Sequence, residues 1–257
     1  FEKMAVFGGN SAVNGGLFAA PNTALQKKEG VKDSPERMAA DQAKAGRGIA
    51  NEEQLLHVAK RASEALQMTI DAGAEYFPYL QQLGGHSVPR TYQTTVAVGS
   101  GITQPLLNEC KKLGVRLVNR AKFDSLIFDE KGKVVGAKIR EGYYFGRGKE
   151  GNQINVRANR GVLIATGGFA RNVGLRSAQD PTLTAEVGST NPPNATGEGL
   201  LELFNVGAVP VHMAHIQAGP WASADEDGFG YVSNYSIYNF AHSISVFPKT
   251  GKRFMNE

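Results

Sequence analysis

The sequence is poor in cysteine and lacks any long apolar run. One cysteine, Cys110, stands among 257 residues. That excludes an internal disulfide and any multi-cysteine metal site, and no C-x-x-C-H is present to attach a haem. Cys110 lies in the run LLNECKKLG and reads as a small buried hydrophobe rather than a reactive thiol. No apolar stretch approaches the roughly 20 residues that a membrane-crossing helix needs. There is also no Lys/Arg run and no interleaving of basic with aromatic residues, although the formal net charge is +4. A nucleic-acid reader concentrates its charge, whereas scattered mild positive charge suits an anionic cofactor or substrate. The chain has no initiator Met, signal peptide or polar tail, and both ends read as if in mid-course. A segment of a longer protein is therefore expected.

What is plentiful is glycine, 31 residues, much of it in pairs: Gly8-Gly9, Gly15-Gly16, Gly84-Gly85 and Gly167-Gly168. Paired glycines at strand ends mark tight turns or close approach of backbone to a ligand. Between them the pattern alternates. Ser34-Pro35 opens a helix that Gly46 closes. Asn51, followed by Glu52 and Glu53, opens a longer one. There Leu55, Val58, Ala59, Ala62, Leu66 and Ile70 recur at helical spacing as an apolar face, with His57 on a solvated flank. A helix over about 102–113 leads to a short strand at 115–118. Strands at 123–128 and 133–140 flank the turn Asp129-Glu130-Lys131-Gly132, and a third strand near 153–157 completes an antiparallel meander. The run GVLIA at 161–165 reads as a buried parallel strand ending in Thr166-Gly167-Gly168, and a helix follows at 200–205. The whole is an α/β arrangement, in which ligands collect at the carboxyl ends of parallel strands. From about residue 214 the composition turns aromatic, which suggests a second structural unit.

Three stretches carry candidate chemistry. Glu2, followed by the loop Gly8-Gly9-Asn10-Ser11 and by Gly15-Gly16, supplies an acid suited to a ribose hydroxyl and backbone N–H groups suited to phosphate. Taken alone, it is equally a strand-to-loop turn. Ala165-Thr166-Gly167-Gly168 is either a tight turn or a backbone-lined contact with a passing cofactor. Ser189-Thr190-Asn191 through Thr196-Gly197-Glu198-Gly199 opens a helix whose first N–H groups can meet an anionic or polar group.

In order and distance these segments resemble the soluble fumarate reductase (flavocytochrome c) flavoproteins of the succinate dehydrogenase/fumarate reductase superfamily. The carrying strings are EKMAVFGGNSAVNGG, GVLIATGGFARN, STNPPNATGEGLLELFNVGA, HIQAGP and GKRFMNE. The resemblance implies FAD, bound in a Rossmann-like α/β domain (parallel sheet plus antiparallel meander) over residues 1–213. An α+β capping domain would begin in 214–257. It implies that Glu2 takes the adenosine ribose with Lys3 beside it, and that Asn10, Ser11, Gly15 and Gly16 line diphosphate and flavin. Phe123 would approach the adenine through its backbone, and Thr166, Gly167, Thr190 and Glu198 would complete the cofactor contacts. The family's first strand and G-x-G-x-x-G turn would precede Phe1, and its catalytic arginine would lie beyond Glu257. Relatives of this kind also imply a c-type cytochrome or haem domain as electron donor, and a periplasmic location with the cytoplasm as the alternative.

The departures bear on substrate. Where the family has the I-Q-A-H-P histidine that holds a substrate carboxylate, this chain has Gly219. Where the family has the proton-relay stretch T-E-x-x-R-G, it has Ser236 to Ala241, with Ile237 and Phe240 unable to titrate. The expected activity is thus reduction of an activated C=C bond of an α,β-unsaturated carboxylate other than fumarate. A pocket opened at Gly219 and lined by aromatics points to a larger substrate, with His242, Tyr235 and Tyr238 as polar contacts. His242 serves equally as a structural histidine, and the aromatics equally as a core. A dehydrogenase of a ketosteroid-like, bulky apolar substrate and a non-catalytic scaffold are the other readings.

Overall fold

The computed structural model describes residues 1–218, 244 and 246–254. It divides into two compact units: Val6–Val118, and Phe1–Ala5 together with Asn119–Glu257. Most of the expected capping segment, 219–243 included, lies outside the described residues.

The unit Val6–Val118 contains α1 (Gly9–Val13), β1 (Leu17–Ala19), α2 (Ala24–Lys28), α3 (Pro35–Ala45), α4 (Glu52–Asp71), β2 (Thr91–Gln93) and α5 (Ser100–Lys112). The two long helices begin where their caps require. The Ser34 hydroxyl accepts the Arg37 N–H at 3.1 Å, and the Asn51 side chain accepts that of Gln54 at 3.0 Å. Each bond satisfies one of the donors that a first helical turn leaves over. The buried face of α4 is narrower than the apolar residues suggest: Ala59, Ala62, Leu66 and Thr69 are buried, while Val58 is 56% exposed and Ile70 40%. At 100° per residue, positions 59, 62, 66 and 69 form one tight stripe, and 58 and 70 fall on its shoulders. The stripe packs with Met38 of α3, Ala20 and Tyr92 as the core. β1 and β2 pair antiparallel with Phe18 opposite Tyr92.

Three expectations need correction in this unit. The Gly8-Gly9-Asn10-Ser11 loop is the start of α1. Residues 115–118 form no strand, because a strand requires a ladder partner and none of the described residues pairs with them. Cys110 is half-buried, since α5 buries no residue fully.

The other unit is built on β3 (Ala121–Phe128), β4 (Val134–Glu141) and β5 (Asn152–Arg157), an antiparallel meander in that order, as expected. Asp129 closes the hairpin: its carboxylate accepts the N–H groups of Lys131 (3.0 Å) and Lys133 (2.9 Å). Two helices follow, α6 (Val173–Gln179) and α7 (Glu198–Asn205). Glu202 of α7 accepts the Leu126 N–H at 3.3 Å, tying that helix to β3. The run 161–165 is not the buried parallel strand expected. It belongs to no ladder among the described residues, and Leu163 is 91% exposed. An apolar run becomes a buried strand only when neighbours cover both its faces. The sheets among the described residues are therefore antiparallel only.

Candidate cofactor-binding site

Within the meander unit, three separated pieces of chain converge. The first is Glu2 to Ala5, held against the entry to β3. Ala121 N–H donates to the Glu2 carbonyl at 2.8 Å, Arg120 N–H to that of Met4 at 2.9 Å, and the Asn119 amide to that of Ala5 at 2.6 Å. Pinned this way, Lys3 reaches across to the start of α7. Its Nζ donates to Thr196 Oγ1 at 2.8 Å and to Glu198 Oε2 at 2.6 Å, and lies 5.2 Å from the centre of the Phe145 ring. The Lys3 side chain is 15% exposed and that of Glu198 37%, so the pair orders the site more than it stabilises the fold. The Glu2 carboxylate accepts only the Met4 N–H, at 2.9 Å, among the described residues, which leaves acceptor capacity for a hydroxyl pair.

The second and third pieces are the turn at Thr166-Gly167-Gly168 and the start of α7. They touch through Thr166 and Gly199: a Cβ on Gly199 would overlap the Thr166 hydroxyl and sit 2.9 Å from its methyl. Gly197, in the left-handed region at φ 72, starts α7 without any side-chain cap. The first N–H groups of that turn have no partner within the helix and can meet an anionic or polar group. Gly167, at φ 81, has open space where a Cβ would stand. Behind the cluster, burial and then the charges of Glu198, Glu150 and Asp124 push the Tyr143 phenol up, so it remains protonated and neutral.

In the unit Val6–Val118 the other glycine turn is packed backbone to backbone. The Asn14 amide donates to the Ser11 carbonyl at 3.1 Å, and its Oδ1 accepts the Gly16 N–H at 2.8 Å. The Asn14 carbonyl accepts the Gly99 N–H at 2.8 Å, and the Gly16 carbonyl accepts that of Thr94 at 2.9 Å. A Cβ on Gly16 would lie 2.6 Å from the Val98 carbonyl oxygen. Gly16 thus serves close packing, while Asn10 and Ser11, both exposed, present the loop's outer surface.

Of the residues expected from the sequence, the structure brings Lys3 and Glu198 together and sets Thr166 against the α7 start. Phe123 lies in β3, paired with Ile139, and Thr190 is exposed. Gly219, Tyr235, Tyr238, His242 and Glu257 lie outside the described residues. Asn14 was not expected as a site residue, and Thr196 was expected only as part of the stretch that opens α7. Asn14 carried a signal, since Asn before Gly-Gly favours a side-chain-closed turn. Thr196 carried none beyond its place before Gly197, because its role depends on Lys3, 193 residues away. The donors and turns suit an elongated anionic cofactor with ribose hydroxyls. Among the described residues no three His, Cys, Asp or Glu side chains gather as a metal site, and no helix is long and apolar enough to cross a membrane.

The chain is 71% identical, over all 257 residues, to the acrylate reductase flavoprotein subunit of Shewanella woodyi, covering 51% of that protein. It is 31% identical over its full length to the urocanate reductase of Eggerthella lenta, covering 41% of it. Among solved structures it resembles the open conformation of a flavocytochrome c3 fumarate reductase, with TM-score 0.70 and 27% identity over 80% of this chain and 35% of that one. The chain thus spans about half the length, or less, of these relatives. The family model for the FAD binding domain matches residues 1–257, and the chain belongs to the FAD-binding domain family.

Proposed function

We propose that this chain is the FAD-holding part of a reductase that saturates the C=C bond of a small α,β-unsaturated carboxylate, acrylate in preference to fumarate. The observation that carries the substrate class is the 71% identity, over the entire chain, to an acrylate reductase flavoprotein subunit. Glu2 would take the ribose. Lys3, Thr166, Gly167, Thr190 and Glu198 would contact the cofactor, and Asn10, Ser11, Gly15 and Gly16 are the further proposed contacts. Phe123 would contribute its backbone. Bound FAD, once reduced by two electrons from the donor, would supply a hydride for the β-carbon of the enoate and return to its oxidised form, and a protein acid would give a proton to the α-carbon. That acid is the arginine expected beyond Glu257. In this reading the FAD-binding domain covers 1–213 and a capping domain begins at 214.

The missing histidine supports a monocarboxylate. Acrylate has one carboxylate where fumarate has two and so needs fewer groups to hold it, and Gly219 fits a smaller acid as readily as the larger substrate expected from the sequence. His242, Tyr235 and Tyr238 remain the proposed substrate contacts. A c-type cytochrome as electron donor, in the periplasm, accompanies this reading.

The test uses the full-length protein, reduced without oxygen, and follows the return of oxidised flavin absorbance on mixing with acrylate, fumarate, urocanate or a steroid enone. Fast reoxidation by acrylate and slow reoxidation by fumarate are expected. Rates for fumarate equal to or above those for acrylate overturn the substrate assignment. A response to the steroid alone would move the chain to the ketosteroid-like reading, and protein that takes up no flavin would make it a scaffold.

A further inference from the structure

Arg176, in α6, is 5% exposed and has no carboxylate beside it among the described residues. Backbone carbonyls solvate its charge instead. Nη1 donates to Ala170 at 2.9 Å, Nε to Leu183 at 3.1 Å, and Nη2 to both Thr184 and Val187. A cation removed from water requires compensation of this kind. Only a guanidinium, with five N–H donors spread in one plane, reaches four carbonyls at once; an ammonium group carries three donors at a single point.

The carbonyls lie at two places that matter for the site. Ala170 follows the Thr166-Gly167-Gly168 turn, and 183–187 leads into Ser189-Thr190-Asn191. The neighbours of Arg176 hold the rest of that excursion. Arg171 Nε donates to the Asn191 carbonyl at 2.7 Å, Arg171 N–H to that of Ala195 at 2.9 Å, and the Asn172 amide to that of Thr196 at 3.0 Å. The segment that ends in the Lys3–Thr196–Glu198 cluster is therefore shaped largely from α6 and the residues that enter it.

We infer that Arg176 is a positioning residue for the cofactor: by gathering four carbonyls it sets the path of 183–196, and so the placement of Thr190, Thr196 and Glu198. The inference rests on the proposal that these residues hold FAD. Arg176→Lys keeps the charge and loses the span, and Arg176→Met keeps the bulk and loses every donor.

The experiment measures FAD dissociation and the visible circular dichroism of bound flavin in the full-length protein, well below its melting temperature. There almost all protein is native, so lower stability alone leaves both readouts unchanged. Met38→Ala, in the core of the other unit, is the control for lost stability. Both Arg176 variants are expected to bind FAD about tenfold more weakly or worse, with an altered flavin spectrum, as loss of supporting-layer partners typically does. Met38→Ala is expected to match wild type in both. If the Arg176 variants do not fold, Ser177→Ala decides. Its hydroxyl donates to the same Leu183 carbonyl at 2.8 Å, and its loss is expected to weaken FAD binding about threefold. Wild-type affinity and spectrum in the folded Arg176 variants, or in Ser177→Ala where those do not fold, overturn the inference and leave the proposed function intact. A wild-type protein that takes up no FAD overturns both.

Discussion

Arg90 is the largest fully buried side chain among the described residues, and replacing it with Met tests the energetics of the unit Val6–Val118. Its side chain is 1% exposed, and its partners Asp33 and Asp41 are 0% and 15% exposed. Nε and Nη2 donate to the two oxygens of Asp33, both at 2.9 Å, and Nη1 donates to Asp41 at 2.6 Å. Burial alone would push the guanidinium down; the hydrogen bonds and charges of Asp33 and Asp41 more than reverse that. Arg90→Met leaves two carboxylates without a cation. Removing one partner of a buried pair costs about 3–5 kcal/mol. The remaining donors, Gln26 and Ser34 to Asp33 and Ser87 to Asp41, place the expected loss near 3 kcal/mol, about two orders of magnitude in the folding equilibrium. Urea unfolding followed by far-ultraviolet circular dichroism measures it, the midpoint falling while the slope stays unchanged. A loss under about 1 kcal/mol at pH 7, the size of a surface pair, refutes the reasoning.

The pH dependence adds a second check. Burial pushes the Asp41 carboxyl up, but the Ser87 N–H and hydroxyl and the Arg90 guanidinium outweigh it, so it titrates below the usual carboxylate range. A carboxyl lowered in the folded state contributes stability above its unfolded pKa, near 3.9, and loses it as pH falls through the folded value. Wild type therefore keeps this contribution at pH 7 and sheds it only in acid below about pH 4. Without Arg90 the Asp41 carboxyl loses one cause of that lowering and titrates higher, and protonation relieves it. The gap between variant and wild type should narrow as pH falls from 7 to 4; a constant gap contradicts the assignment.

Two further substitutions address the candidate site. Gly199→Ala drives a methyl into Thr166 and should cost about 1–3 kcal/mol of stability, the usual range for overpacking, together with most FAD affinity; urea unfolding and flavin retention on gel filtration read both, and a variant that stays yellow contradicts the close contact. Lys3→Met removes the donors to Thr196 and Glu198. It should change stability by about 1 kcal/mol or less, since Glu198 keeps contact with solvent, yet weaken FAD measurably in a fluorescence titration. Equal FAD affinity would show that the pair has no part in ordering the site.

Local rules read this chain well wherever the controlling contacts are near in sequence. The caps at Ser34 and Asn51, the Asp129-to-Gly132 hairpin and the three strands of the meander each depend on residues a few positions apart, and all formed as expected. Reading failed where the partner was distant or missing from the pattern. The apolar run at 161–165 has the composition of a buried strand, but a strand is made by its neighbours, and none of the described residues pairs with it. Val58 and Ile70 fit the α4 period yet stand exposed, because they fall on the shoulders of the stripe Ala59, Ala62, Leu66 and Thr69 that is buried.

The cofactor family was legible in the sequence because several motifs, EKMAVFGGNSAVNGG, GVLIATGGFARN and STNPPNATGEGLLELFNVGA among them, stand in the family's order; at Gly16 and Gly199 the structure adds that a Cβ would collide with Val98 and Thr166. The roles of Glu2, Gly167 and Glu198 were expected from that resemblance. The tertiary structure alone decided that Lys3 binds Thr196 and Glu198, that Thr166 fills the space beside Gly199, and that Arg176 solvates its charge with four carbonyls. Those contacts join positions far apart in the chain, and no periodicity or spacing encodes which distant groups will meet once the backbone has folded.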